Sequence, residues 1–207
     1  IDTSEPTLIL NIGAGSIQLL LMENNLLASS QSLKLGALRI KESIAKIEKH
    51  TLNFSRVLEE YIEAHIESVE YLKSSNELKH FVLASGELDY LAELARLGVD
   101  KGVVSLDKEQ FERIYVQALG KTPRALSEEY DIPLADAELF VPSLILIKKF
   151  LDKTCSDKLI IPSVSLVDGL ILERYNDELE KGISMDFDAD ILSCVREMAT
   201  RYRTNEK

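Results

Sequence analysis

The segment Leu8–Met22, LILNIGAGSIQLLLM, decides how the rest of the chain is read. Two apolar runs flank a short polar loop. Asn11 closes the first run, Gly13, Ala14, Gly15 and Ser16 form the loop, and Ile17 to Met22 runs out again with Gln18 as its one polar residue. Runs this short and this apolar read as buried strands, not as amphipathic helices. A glycine-containing turn between strands lets backbone N–H groups converge on an anion, because glycine reaches positive φ without a Cβ clash and removes bulk near a phosphate. The Ser16 hydroxyl adds a donor. The same four residues also suit a plain hairpin turn that binds nothing. They match neither GxxxxGKS nor GxGxxG, so the phosphate loops those motifs mark are not indicated.

Outward from this segment, Thr7 to Asn11 is the first strand, and Ile17 to Glu23 the second. Asn24-Asn25 is a tight turn, since Asn tolerates positive φ, and it makes a hairpin with a third strand, Leu26 to Leu35, ending at Gly36. A helix is expected from about Arg39. A second helix, capped by Asn53 or Ser55, carries Val57, Leu58, Tyr61, Ile62, His65, Ile66, Val69 and Leu72 on one face. His80 to Ala84 is a fourth strand that flows through Ser85-Gly86 into a helix Glu87 to Leu97. Val103 to Leu106 is a short strand, Asp107 caps a helix stopped by Gly120, and Thr122-Pro123 opens another. Leu139 to Asp152 is a helix that tolerates Pro142 in its first turn, and Leu159 to Val164 is a last buried strand. Leu166 to Tyr175 and Ile191 to Arg203 close the chain as helices. The order predicts an α/β domain with a mixed sheet and extra helices inserted after the fourth strand.

At 207 residues, 45% hydrophobic and 29% charged, the chain has the composition of a globular protein able to bury a core without disulfides or metal. A formal charge of -11 argues against a nucleic-acid or anionic-membrane surface, although it leaves room for a local cationic pocket. The apolar runs fall short of the ~20 residues a membrane helix needs, and no charged-then-apolar leader opens the chain, so a cytoplasmic location is expected. Cys155 and Cys194 are too few and too far apart for a disulfide framework and read as free thiols. His50, His65 and His80 lack the spacing of a zinc site.

The wider context carries a resemblance. NIGAGSIQLLLM, followed by SLKLGALRIKES, resembles the second actin-like subdomain of the exopolyphosphatase and guanosine pentaphosphate phosphohydrolase (Ppx/GppA) family. That family has DIGGGSTEL and then SLPLGAVRLTE, matched here by Gly13, Gly15, Ser16, Leu19, Gly36, Ala37, Arg39 and Glu42. HFVLASGELDYLA, AELFVPSLILI, VSLVDGLILERY and DFDADILSCVREMATRY are similar, in family order, to its later segments.

The resemblance implies a ribonuclease-H-like (actin/hexokinase-type) half domain over 1–185, with 186–207 as the helix leading into an HD-like domain. It also implies that the chain is a fragment. The first half, with its own phosphate loop and the catalytic glutamate, would lie outside it. The implied activity is release of terminal phosphate from polyphosphate or guanosine pentaphosphate. Phosphate would be held by Gly13, Ala14, Gly15 and Ser16 with Arg39, a second loop would lie at Ser85 and Gly86, and Mg²⁺ would be the cofactor. A homodimer stays open for the full-length protein. The chain departs from the pattern where Asn11 and Gln18 replace acids, Ala14 replaces the middle glycine, and Glu87 and Asp136 stand for a threonine and an arginine. Amide oxygens supply geometry without charge, which weakens a Mg²⁺ site, and the two added acids raise the Coulomb cost of an anion. A non-catalytic phosphate- or nucleotide-binding relative, and a purely structural domain, are the alternative readings.

Overall fold

The computed structural model describes residues 3–47, 54–67, 78–84, 102–164 and 166–179, with a few isolated positions between and beyond them. Its strands are β1 (Thr7–Ile12), β2 (Ile17–Glu23), β3 (Leu26–Leu33), β4 (His80–Leu83), β5 (Val103–Asp107) and β6 (Lys158–Pro162). They form one mixed sheet in the order β3-β2-β1-β4-β6-β5. β4 lies parallel to both β1 and β6, whereas the β1–β2, β2–β3 and β5–β6 pairs are antiparallel.

The opening hairpins form as the residues dictate. Asn24 and Asn25 sit at φ of 52° and 63°, the pair of left-handed residues that a two-residue hairpin turn demands. Their amides are held by the carbonyls of Ser4 and Thr3, at 3.3 and 3.0 Å. β3 stops at Leu33 and not at Leu35, because Leu35 donates to the Leu33 carbonyl at 2.8 Å and turns the chain toward the first helix. That helix, α1 (Ala37–Ile47), starts earlier than expected, directly after Gly36.

α2 (Phe54–Ile66) ends before Val69 and Leu72, which the apolar spacing places on its face. Both residues are buried nonetheless. Val69 donates to Ile66 and Leu72 to Val69, each bond reaching three residues back. The spacing reported burial, and burial outlasted the helix. The candidate cap Asn53 lies outside the described residues, as does the expected helix Glu87 to Leu97 apart from the buried Leu91.

Between β5 and β6 come α3 (Lys108–Leu119), α4 (Pro123–Tyr130) and α5 (Leu134–Leu151). The inserted segment therefore contains an edge strand as well as helices. Asp107 ends β5 and caps α3: its Oδ1 accepts from the Gln110 amide at 2.7 Å, and Gln110 Oε1 accepts from the Asp107 amide at 2.8 Å. Thr122 and Pro123 open α4 by the same logic.

α5 corrects the expectation for Leu139 to Asp152. It begins at Leu134, so Pro142 lies in its interior and not in its first turn. A proline there deprives the Glu138 carbonyl of its helical donor, at a cost of about 3 kcal/mol. Burial offsets this: Phe140, Leu144, Leu146, Ile147, Phe150 and Leu151 are each almost wholly enclosed, and each side chain of that kind contributes roughly 1.5–3 kcal/mol. Polar ties fasten the same helix to its neighbours. Glu138 pairs with Lys41 of α1, and Glu63 of α2 meets Lys149 at 3.9 Å and Lys153 at 2.6 Å. Glu112 of α3 meets Lys148 at 3.0 Å. α6 (Leu166–Leu179) follows β6 and exposes Val167, Leu170 and Ile171. No helix of the described residues is long and apolar enough to cross a membrane.

Two outcomes follow from these contacts. Asp107→Ala is expected to cost about 1 kcal/mol in urea unfolding, with no change in the slope of the transition, since it removes one cap and leaves the core intact. Burial pulls the Lys148 ammonium down, but hydrogen bonds to Glu112 and Asp152 outweigh it and leave the pKa raised above its ordinary 10.5. A group raised by folding stabilises fully below its unfolded pKa and loses that contribution as pH climbs through the raised value. The stability gap between the parent chain and Lys148→Met is therefore expected to be constant at neutral pH and to close as pH rises past 10.5.

Candidate anion-binding loop

The loop at the β1–β2 turn is held from outside itself. Within it, the Gly13 amide donates to the Ser16 carbonyl at 2.9 Å. From the start of α1, the Ala37 amide donates to the Gly13 carbonyl at 3.1 Å and the Leu38 amide to the Ala14 carbonyl at 3.0 Å. Arg39 completes the clamp, with Nε on the Gly15 carbonyl at 2.7 Å. Three consecutive residues of α1 thus bind three consecutive carbonyls of the loop. The first turn of α1 contains no acid.

This arrangement turns the loop inside out with respect to a simple hairpin. Its carbonyls face α1, and the amides of Ala14, Gly15 and Ser16 donate to no carbonyl among the described residues. Ala14 and Gly15 are exposed, Ser16 is half-buried, and the Ser16 hydroxyl has no partner among the described residues. The exposed Arg39 guanidinium has donors left over once Nε is used. Free amides, a hydroxyl and a cation at one tip form a surface suited to an oxyanion.

The glycines play different parts from those expected. Neither Gly13 nor Gly15 has a positive φ, so neither is required for a left-handed turn. The glycine that the geometry demands is Gly36. A methyl group there would stand 2.5 Å from the Ser16 amide nitrogen and closer still to the Ala14 carbonyl oxygen. At Gly15 the same methyl group would meet nothing within 4 Å, which fits a position kept clear for a ligand.

Asn11 and Gln18 are brought together. They are direct cross-strand partners, two positions outside the loop on an exposed side of the hairpin, and Asn11 Nδ2 donates to Gln18 Oε1 at 3.2 Å. The Mg²⁺ that the resemblance implies finds a poor donor set in this pair. In either amide orientation the bond consumes one of the two carbonyl oxygens, and neither amide carries charge, whereas Mg²⁺ gives up water reluctantly and favours carboxylate ligands. No group of three or more His, Cys, Asp or Glu side chains able to hold a metal occurs among the described residues. The pair does not fit the ion.

The remaining candidates are placed less fully. Ala84 donates to the Leu10 carbonyl at 2.9 Å, so the chain leaves β4 beside the end of β1. Ser85, Gly86 and Glu87 themselves lie outside the described residues, as do His50 and Cys194. Asp136 lies in the first turn of α5. His65 is turned onto the Tyr61 carbonyl at 2.9 Å, His80 faces Glu5 at 3.3 Å, and Cys155 is an exposed free thiol. The clamp from Ala37 and Leu38 had no signal in residue type, because backbone amides make it. The Asn11–Gln18 contact did have one: a four-residue turn between paired strands sets residues equidistant from its centre opposite each other.

No protein-family model and no curated protein sequence matches the chain. Solved structures do. An exopolyphosphatase from Cytophaga hutchinsonii superposes with a TM-score of 0.69 at 21% identity, over 84% of this chain and 58% of that one. A Ppx/GppA family member from Aquifex aeolicus gives 0.69 at 16% identity, over 84% and 57% of the two chains. An exopolyphosphatase-like protein gives 0.60 at 19% identity, over 84% and 59%. The chain has the fold of the Ppx/GppA exopolyphosphatases. It spans a little over half the length of each of these structures.

The clamp makes a contrast that mutagenesis reads directly. Gly36→Ala is expected to cost about 1–3 kcal/mol, the usual range for overpacking a closed contact, and to shift the amide resonances of Ala14 and Ser16. Gly15→Ala, in open space, is expected to leave the unfolding midpoint nearly unchanged.

Proposed function

We propose that this chain supplies a phosphate-binding loop to a phosphohydrolase of the Ppx/GppA type, acting in the cytoplasm on the terminal phosphate of polyphosphate or guanosine pentaphosphate. Ala14 and Gly15 offer amides, Ser16 its hydroxyl and Arg39 a positive charge. The attacking water, its base and the opposing phosphate loop come from a part of the protein outside these residues. The observation that carries the reading is the loop's orientation, carbonyls bound to α1 and amides left open. A hairpin turn that bound nothing would gain more by satisfying its amides within the turn. The shared fold supplies the phosphohydrolase part of the reading.

A second reading, a non-catalytic phosphate- or nucleotide-binding relative, draws support from the closed Asn11–Gln18 pair. The two readings agree on the loop and differ on turnover.

Titration of inorganic pyrophosphate into the chain, followed by calorimetry and by the amide resonances of residues 13–16, is expected to show binding that weakens on raising the salt concentration. Ser16→Ala and Arg39→Ala are each expected to weaken it by roughly 10–150-fold, the range of a single charged hydrogen bond. A titration in which neither substitution changes the affinity removes the loop from the site. Phosphate release from polyphosphate is expected to be undetectable with this chain alone, and turnover by it would overturn the claim that the catalytic groups lie elsewhere.

A further inference from the structure

We infer that the Gly13–Ser16 loop takes its phosphoric anhydride or phosphate ester in the free, metal-uncomplexed form, and that Mg²⁺ competes with the loop for the ligand. This rests on the reading of the loop as a phosphate site and adds the charge state of the ligand it selects. The geometry has two halves. On the ligand side of the loop, the groups identified among the described residues are able to donate and none is anionic: the Ala14 and Gly15 amides, the Ser16 hydroxyl and the Arg39 guanidinium. Donors bind the oxygen atoms of a polyanion best when those oxygens keep their full charge. Mg²⁺ bound to the same oxygens withdraws that charge and fills the positions that the donors would occupy.

On the flanking side, a complexed ligand brings its cation to strand ends where no cluster of carboxylates among the described residues receives it. A metal held at a phosphate commonly gains one or two carboxylates from the protein. The side chains at the corresponding strand ends are Asn11 and Gln18, already joined at 3.2 Å. A cation there would find one neutral amide oxygen engaged and one left over, with no acid in the first turn of α1 to add charge. Carboxylates at both positions would reverse the balance. At the present separation two negative charges repel, and a cation between them relieves the repulsion. The amide pair is satisfied without one.

The test is a pair of pyrophosphate titrations by calorimetry at fixed ionic strength, one with EDTA and one with Mg²⁺ in excess over pyrophosphate, each accompanied by amide spectra of residues 13–16. The expected result is binding in EDTA and a roughly tenfold or greater loss of affinity in Mg²⁺, the equivalent of about 1.4 kcal/mol or more. Equal affinity in both, or binding only with Mg²⁺, overturns the inference while leaving the loop as a phosphate site. No binding and no spectral change in either overturns the phosphate reading itself and the inference with it. The double variant Asn11→Asp/Gln18→Glu supplies a second measurement, with circular dichroism as the check that it folds. Mg²⁺ is expected to strengthen its pyrophosphate binding, and a variant that Mg²⁺ weakens as much as the parent chain shows that the amide pair does not set the preference.

Discussion

The absence of a side chain at Gly36 is the constraint on which the site depends. The backbone of the β1–β2 loop passes so close to that position that even a methyl group would overlap the Ala14 carbonyl and the Ser16 amide. Close approach is what lets the first amides of α1 reach the loop carbonyls at 3.0–3.1 Å. A helix leaves its first amides without internal partners, and a loop that exposes its carbonyls leaves acceptors unpaired. Here each deficit satisfies the other. The consequence is a loop whose remaining amides have no other duty.

That account changes what can be read from the residues. A glycine-rich loop suggests glycines chosen for their dihedral freedom, yet Gly13 and Gly15 lie at ordinary negative φ. The indispensable glycine is more than twenty residues away, immediately before α1, and residue type alone does not reveal which segment of backbone will press against it. Side-chain chemistry was more legible. Asn24-Asn25 as a left-handed turn, Asp107 as a cap and Pro123 at a helix start are local choices with local causes, and each appears where those causes place it. The misreadings fell where tertiary packing outweighs local preference. Pro142 would end or bend an isolated helix, but enclosure of its neighbours on nearly every side of α5 keeps the helix running through it. Val69 and Leu72 kept a helical spacing because burial requires it, and both are buried beyond the end of α2.

α5 also explains how the loop stays in register with the rest of the domain. It is enclosed by α1, α2, α3 and α4, and its ion pair between Glu138 and Lys41 lies on the helix whose first turn holds the loop. That pair is partly exposed and contributes little on its own. Its value is in direction: it draws Lys41 toward α5, while Arg39, two residues earlier, is tied to Gly15 of the loop. The helix that fixes the loop's position therefore also fixes where its positive charge stands.

Net charge and local charge give opposite impressions of this molecule, and the local one governs a small ligand. A charge of -11 spread over 207 residues would repel an extended polyanion such as a nucleic acid, which meets many surface carboxylates at once. A terminal phosphate meets only what lies within the screening length, about 8 Å at physiological ionic strength. The groups identified at the loop itself are amide dipoles, a hydroxyl and a guanidinium, with a neutral amide pair on the flanking strands. Asn11 and Gln18, a neutral bonded pair, add no negative charge beside the loop.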